Sequence, residues 1–244
     1  MVGPTTSAHA VTARPHRGET VRVDAIVLAG GASRRMGTDK TRIMVGGRTL
    51  LDRSIDALRR AGAEQIVVVS RDGDAAGLPD GVVAVSDSSP GSGPLGGIID
   101  GLRHLARIER DTSENSDERR SDDERRGDDV VIVVASDHPD HDPDELAFVA
   151  SLLAKATVQT AAAIPVVDGR DQTLHAAYRR WLAEPLAAQF DAGERSLHRA
   201  LDAHPTVRVE RTGAVRTSYR DLDDPADLEA YRAGSASVAE ETSG

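Results

Sequence analysis

The sequence predicts a three-layer α/β/α domain built on a mainly parallel sheet. Three observations carry that expectation. Short Val- and Ile-rich runs alternate along the chain with segments of helical period, the connections between them are short, and the polar landmarks of the sequence fall just after the apolar runs. Ligands of such sheets gather at the carboxyl ends of the strands, so each landmark can be tested by its position.

Taken in order, residues 1–20 mix Pro, Thr, Ser, Ala and His without periodicity and are expected to form a disordered leader. Val23–Leu28 reads as the first strand, and Leu50–Ala61 as a helix in which Leu51, Ile55 and Leu58 share a face. Strands are expected at Gln65–Val69 and Val82–Val85, then a helix over Leu95–Ile108. Val130–Ala135 is apolar at every position, which predicts a central strand covered on both faces. Helices follow at Asp144–Ala156, Leu182–Phe190, Ser196–Ala203 and Pro225–Ala230, with strands at Thr160–Pro165 and Thr206–Glu210. Residues 21–234 are thus expected to form one domain, and 235–244 a frayed tail.

Composition narrows the classes. The chain has 244 residues, enough for one substantial core, but only Trp181, three Tyr and two Phe, so that core must be aliphatic. No run approaches the about 18 apolar residues of a membrane span, and the amino terminus lacks a secretory apolar segment. The absence of cysteine removes disulfides and thiolate chemistry and fits a cytoplasmic location. A net charge of −10 argues against general nucleic-acid binding. Half of that charge lies in Glu109–Asp129, with ten acidic residues and five arginines, a segment expected to be a solvated insertion between a helix and a strand.

The most informative segment is Leu28-Ala29-Gly30-Gly31-Ala32-Ser33-Arg34-Arg35-Met36-Gly37-Thr38-Asp39-Lys40, directly after the first strand. Paired glycines let a phosphate approach the main chain, and Arg34, Arg35 and Lys40 add forked and mobile positive charge. The spacing is neither that of a P-loop nor that of the dinucleotide fingerprint: five residues separate Gly31 from Gly37, and Lys40 lies three positions further on. After the third strand comes Asp87 in a Gly/Pro-rich run, Ser86 to Gly97, where a carboxylate can accept hydrogen bonds from a base edge or ribose, or can simply open a turn. Asp137 follows the most apolar strand in Ser136-Asp137-His138-Pro139 and is expected at the ligand crevice. His138, Asp140, His141 and Asp142 do not share a helix face. His141-Asp142-Pro143-Asp144 reads more naturally as a loop and helix cap than as a transition-metal site.

These strings resemble the MobA family of nucleotidyltransferases. The first is similar to that family's L-A-G-G-x-S-x-R-M-G-x-D-K signature, Asp87-to-Gly97 to its D-x-x-x-G-x-G-P-L-x-G element, and Ser136-Asp137-His138-Pro139 to its C/S-D-x-P motif. Gly169-Arg170-Asp171-Gln172-Thr173-Leu174-His175-Ala176-Ala177-Tyr178-Arg179 resembles G-x-x-Q-P-L-H-A-x-Y-R with Thr173 in place of proline. Gly193-Glu194-Arg195-Ser196 resembles G-x-R-S, and Asp221 to Leu228 resembles N-x-N-T-P-E-D-L with aspartates for both asparagines.

The resemblance implies a Rossmann-like nucleotidyltransferase fold and a Mg²⁺-dependent transfer of GMP from GTP to molybdopterin bearing molybdenum, releasing pyrophosphate. It implies Arg35, Lys40 and Asp137 as catalytic residues. Leu28, Ala29, Gly30, Gly31, Lys40, Asp87 and Asp137 would contact the nucleotide, and Asp137 with Asp223 the metal; Asp223 reads equally as part of a helix cap. Arg179, Arg180 and Arg195 are candidates for acceptor phosphate binding, while Gln172 and His175 either line the acceptor side or satisfy buried backbone groups. GTP and a molybdopterin-type acceptor are the expected partners, with molybdoenzymes or cofactor chaperones beyond them, and a monomer is the expected state. Related chemistries stay open: CTP as donor, another phosphorylated acceptor, or a nucleotide-binding module without turnover.

Overall fold

A sheet whose middle strand must be apolar on both faces organises the computed structural model, which describes residues 22–30, 43–114, 129–220, 222 and 226–232. The expected leader, tail and most of the charged insertion lie outside the described residues. So do Gly31, Arg34, Arg35, Lys40, Asp221 and Asp223.

β1 (Arg22–Leu28), β4 (Ile66–Ser70), β5 (Val82–Ser86) and β6 (Asp129–Ala135) run parallel, joined by α1 (Leu50–Arg60) and α2 (Pro94–Glu114). A two-stranded antiparallel hairpin, β2 (Met44–Val45) and β3 (Arg48–Thr49), precedes α1. After β6 come α3 (Pro143–Lys155), β7 (Ala162–Val167), the short β8 (Arg170–Asp171) and β9 (His175–Arg179). A 3₁₀ turn (Arg180–Leu182), α4 (Ala183–Asp191), α5 (Leu197–Asp202), β10 (Thr206–Glu210), a second 3₁₀ segment (Gly213–Tyr219) and α6 (226–232) complete the order. The main sheet runs β10-β7-β9-β6-β1-β4-β5, with β8 attached to β7. Among the described strands of this sheet, only β8 and β9 run antiparallel to their neighbours.

The apolar run Asp129–Ala135 is buried at all seven positions. Val131 and Val133 face one core with Ile26, Leu95, Ile98, Leu102, Leu186 and Leu201, under α2, α4 and α5. Val130, Ile132 and Val134 face the other with Val27, Ile55, Leu58, Leu146, Val149 and Leu153, under α1 and α3. This explains why β6 shows no alternation: both faces are covered, and each buried aliphatic side chain contributes about 1.5–3 kcal/mol of transfer free energy.

Helix boundaries follow local chemistry. Thr49 caps α1 through a reciprocal pair, its Oγ1 accepting from Asp52 N (3.0 Å) while Asp52 accepts from Thr49 N. Asp142 caps α3, accepting from Asp144 N (2.9 Å), with Pro143 in the first turn, as the sequence predicts. α2 lies unusually close to β1, because Gly97 and Gly101 face it. A Cβ at Gly101 would stand 2.7 Å from Ile26 Cδ1. No helix among the described residues is long and apolar enough to cross a membrane.

The sequence reading needs three corrections here. β9 was expected only as a motif segment, and the β2–β3 hairpin was not expected. The boundary residues of the charged insertion are structured: α2 continues to Glu114, and Asp129 is the buried first residue of β6.

Candidate active site

Three parallel strands end at one cavity. Leu28, at the end of β1, leads into Ala29 and Gly30; β5 leads to Asp87; β6 ends in Ala135 and leads to Ser136 and Asp137. These residues, with Val69, Gly91, Gly93, Pro94, Gly97 and Leu174, line a cavity of about 280 Å³. Parallel register accounts for the convergence, since Leu28 pairs with Val69 on one side and Ala135 on the other, and Ser136 N donates to Leu28 O (3.1 Å).

Leu28, Ala29, Gly30, Asp87 and Asp137 are therefore brought together. Gly30 does not adopt positive φ, and a Cβ there would meet nothing closer than 3.6 Å, so protein packing does not demand this glycine. A Cβ there would point toward the main chain of Ser70 and Arg71 at ordinary contact distance.

Asp87 plays the turn role and lines the cavity at once. Its Oδ1 accepts from Ser89 N (2.9 Å), opening an Asx turn, while its own N–H donates to Ser70 O (2.8 Å). α2 braces the same loop from behind: Asp100 accepts from Ser88 N (2.7 Å) and Ser88 Oγ (3.0 Å). Pro94 and Gly97 place the amino terminus of α2 on the cavity wall, where its first N–H groups lack intrahelical partners and favour an anion.

Asp137 lies at the other wall with its side chain about one-quarter exposed (26%). Its main chain is fixed from two sides. Leu222 N donates to Asp137 O (3.0 Å), and the next turn is held by Arg53, which donates to Pro139 O (2.7 Å) and Asp140 Oδ1 (3.1 Å). Tyr231 of α6 donates to the same Asp140 oxygen (2.6 Å). Leu222 packs with Ile43, Val45 and Leu50, so the segment that holds Asp137 is tied in turn to the β2–β3 hairpin and the start of α1. Asp223 itself is outside the described residues.

Arg179 and Arg180 do not reach the cavity. Arg179 is fully buried, and its guanidinium donates to Leu153 O (2.7 Å) and Ala156 O (3.3 Å), capping the carboxyl end of α3. Arg180 pairs with Asp24 (2.6 Å), Glu109 (2.6 Å) and Asp129 (3.3 Å). Because β9 is antiparallel, both arginines emerge at the amino ends of the parallel strands, away from the cavity. Burial pushes the Asp129 carboxyl up to about 6, against the opposing pull of Arg180. Arg195 lies over the Phe190 ring (3.8 Å) and donates through Nη1 to Phe190 O and Glu194 O, and its main chain stands beside Gly93 of the cavity wall.

Gln172 donates to Arg170 O (3.2 Å), whereas neither ring nitrogen of His175 has a hydrogen-bond partner among the described residues. His175 therefore does not satisfy a buried backbone group. Sequence reasoning missed that it meets His138 and His141, and no local spacing could have shown it.

The hard oxygen donor of Asp137 on the cavity wall suits a hard divalent cation, which takes carboxylate oxygens and shares its remaining positions with substrate phosphates and water.

A family model described as MobA-like NTP transferase domain matches residues 25–207. The chain is 34% identical to the probable molybdenum cofactor guanylyltransferase of Chloroflexus aggregans over 184 residues, 73% of this chain and 76% of that protein. The molybdopterin-guanine dinucleotide biosynthesis protein A of Archaeoglobus fulgidus superposes with a TM-score of 0.65 at 22% identity, covering 88% of this chain and 99% of that one. A Mycobacterium tuberculosis protein solved in complex with manganese superposes with a TM-score of 0.57 at 18% identity, covering 87% and 98%.

Proposed function

The chain belongs to the MobA-like NTP transferase family, a nucleotidyltransferase family, and from that premise we propose that it transfers GMP from GTP to the terminal phosphate of molybdenum-bearing molybdopterin and releases pyrophosphate. The observation that carries the reading is the convergence of the Leu28–Gly30 turn, Asp87 and Asp137 on one cavity at the carboxyl ends of β1, β5 and β6.

Asp137, with Asp223, would hold Mg²⁺, and Arg35 and Lys40 would grip the triphosphate. The hydrogen bond from Leu222 to Asp137 supports the pairing of these two chain segments. Bound Mg²⁺ supplies charge neutralisation on the triphosphate, so that an anionic nucleophile can approach the α-phosphorus. The acceptor phosphate is already ionised and needs no strong base; alignment and electrostatics carry the rate. The α2 terminus favours the negative charge of the nucleotide, and the Asp87 carboxylate accepts from the N1–H and exocyclic amine of guanine. The manganese held by the Mycobacterium tuberculosis protein supports a divalent ion for this chain, with Mg²⁺ the choice we propose.

The test is pyrophosphate release with GTP, CTP, ATP and UTP in the presence of Mg²⁺ and molybdopterin acceptor. GTP- and acceptor-dependent release, lost by at least 100-fold in Asp137→Ala with an unchanged melting temperature, is the expected result. Release with CTP alone would make the chain a cytidylyltransferase, and nucleotide binding without release a non-catalytic module.

A further inference from the structure

Behind the Asp137 loop, three imidazoles meet in the protein interior. His138 and His141 stack with ring centroids 5.5 Å apart and planes within 3°, and His175, the first residue of β9, tilts across both at 5.8 and 5.1 Å. One ring nitrogen from each lies within 4.8 Å of the others, and their exposures are 7%, 9% and 1%.

We propose that His138, His141 and His175 form a buried site for a borderline divalent transition ion of the zinc class, which would clasp the loop after β6 to the start of β9.

The hydrogen bonds set the rings up for it. His141 Nε2 lies 3.2 Å from Ala135 O, an acceptor that fixes the proton on Nε2 and leaves a lone pair on Nδ1; that Nδ1 has no partner among the described residues. His138 Nδ1 faces Ser218 O at 3.5 Å, which likewise turns Nε2 toward metal binding. A carbonyl behind each ring is the usual outer support of a metal-bound histidine. Both nitrogens of His175 are orphaned, although a neutral imidazole must bury one N–H donor and one lone pair.

An aliphatic trio would fill this space without stranded polar atoms, whereas an ion satisfies them together. Nitrogen ligands about 2.0–2.1 Å from a tetrahedral ion stand roughly 3.4 Å apart, so the nitrogens need close by no more than roughly 1.4 Å. Imidazole selects Zn²⁺, Co²⁺ or Ni²⁺ over the oxygen-seeking Mg²⁺, which separates this site chemically from the Asp137 carboxylate. That carboxylate lies 3.8 Å from His138 Nε2 and is a countercharge for the ion.

The test uses the full chain without an affinity tag, stripped of metal and without nucleotide, so its outcome is independent of the guanylyl-transfer reading. Zn²⁺ titration against a chromophoric chelator should show one tight equivalent, and millimolar Mg²⁺ should not displace it. Zn²⁺ should raise the melting temperature by about 5 °C, and Co²⁺ should give the visible bands of a four- or five-coordinate ion. His138→Gln, on the loop, and His175→Gln, on the strand, should each weaken Zn²⁺ at least 100-fold; Asp137→Asn should keep the equivalent. Circular dichroism checks that each variant is folded. The proposal is overturned if the folded wild-type chain takes up no equivalent of Zn²⁺, if His138→Gln binds it as tightly as wild type, or if the equivalent is lost in Asp137→Asn.

Discussion

Arg180 places its guanidinium 2.6 Å from the Asp24 carboxylate, with the two side chains 3% and 0% exposed, at the end of the sheet remote from the cavity. The pair joins β1 to the turn after β9, and it explains two charged residues that local pattern cannot. Removing one partner leaves a buried charge uncompensated. Arg180→Met is therefore expected to lower unfolding free energy by about 3–5 kcal/mol, read by urea denaturation. The KM for acceptor of the folded fraction should stay within about twofold; a large rise at unchanged stability would move Arg180 back to the acceptor side.

Asp129 gives the same cluster a pH signature. Its folded carboxyl titrates near 6, against 3.8 for an unperturbed one. Between those values the folded chain keeps a proton that the unfolded chain has released. The contribution is therefore full below pH 4 and is lost as pH rises through 6. Stability should fall by about 3 kcal/mol across that window from this group, and Asp129→Asn should flatten the fall. Chemical denaturation at half-unit pH steps for both proteins measures the difference.

Gly101 sets the distance between α2 and β1. Ile26 is fully buried and cannot swing away from a Cβ at 2.7 Å, so Gly101→Ala should cost about 1–3 kcal/mol through overpacking. Gly101→Ala with Ile26→Val should recover part of it. A double-mutant cycle with no coupling would show that the helix simply shifts outward.

Asp87→Asn separates the turn from the ligand contact. The amide oxygen can still accept from Ser89 N, so the melting temperature should hold, while the carboxylate charge toward guanine is lost. The KM for GTP should rise by more than about tenfold, and that for ATP should change little. Equal changes for both nucleotides would assign Asp87 to the loop alone.

Much of the fold was legible because burial on both faces leaves an unbroken aliphatic run, as in Val130–Ala135, and because helices announce their ends, as Asp142 and Pro143 do. β9 was not legible. His175-Ala176-Ala177-Tyr178-Arg179 is short, mixes polar with small residues, and reads as a motif; its antiparallel sense, which sends Arg179 and Arg180 away from the cavity, is a tertiary fact. Glu109 and Asp129 were hidden for a related reason. Inside a dense run of charge, nothing local marks the two carboxylates that find a buried arginine. Asp87 and Asp137 stand where strand ends predict, yet the meeting of His138 and His141 with His175 depends on a strand brought in from far along the chain.

α2 starts on the cavity wall at Pro94 and, over 21 residues, carries the chain about 30 Å to the opposite pole, where β6 begins at Asp129. Glu114 and Asp129, the described residues that flank this segment, thus both stand on the far side of the fold. A fluorophore, an affinity handle or a whole guest protein spliced between Glu114 and Asp129 would ride clear of substrate traffic, a natural grip by which to immobilise the enzyme without blocking its mouth.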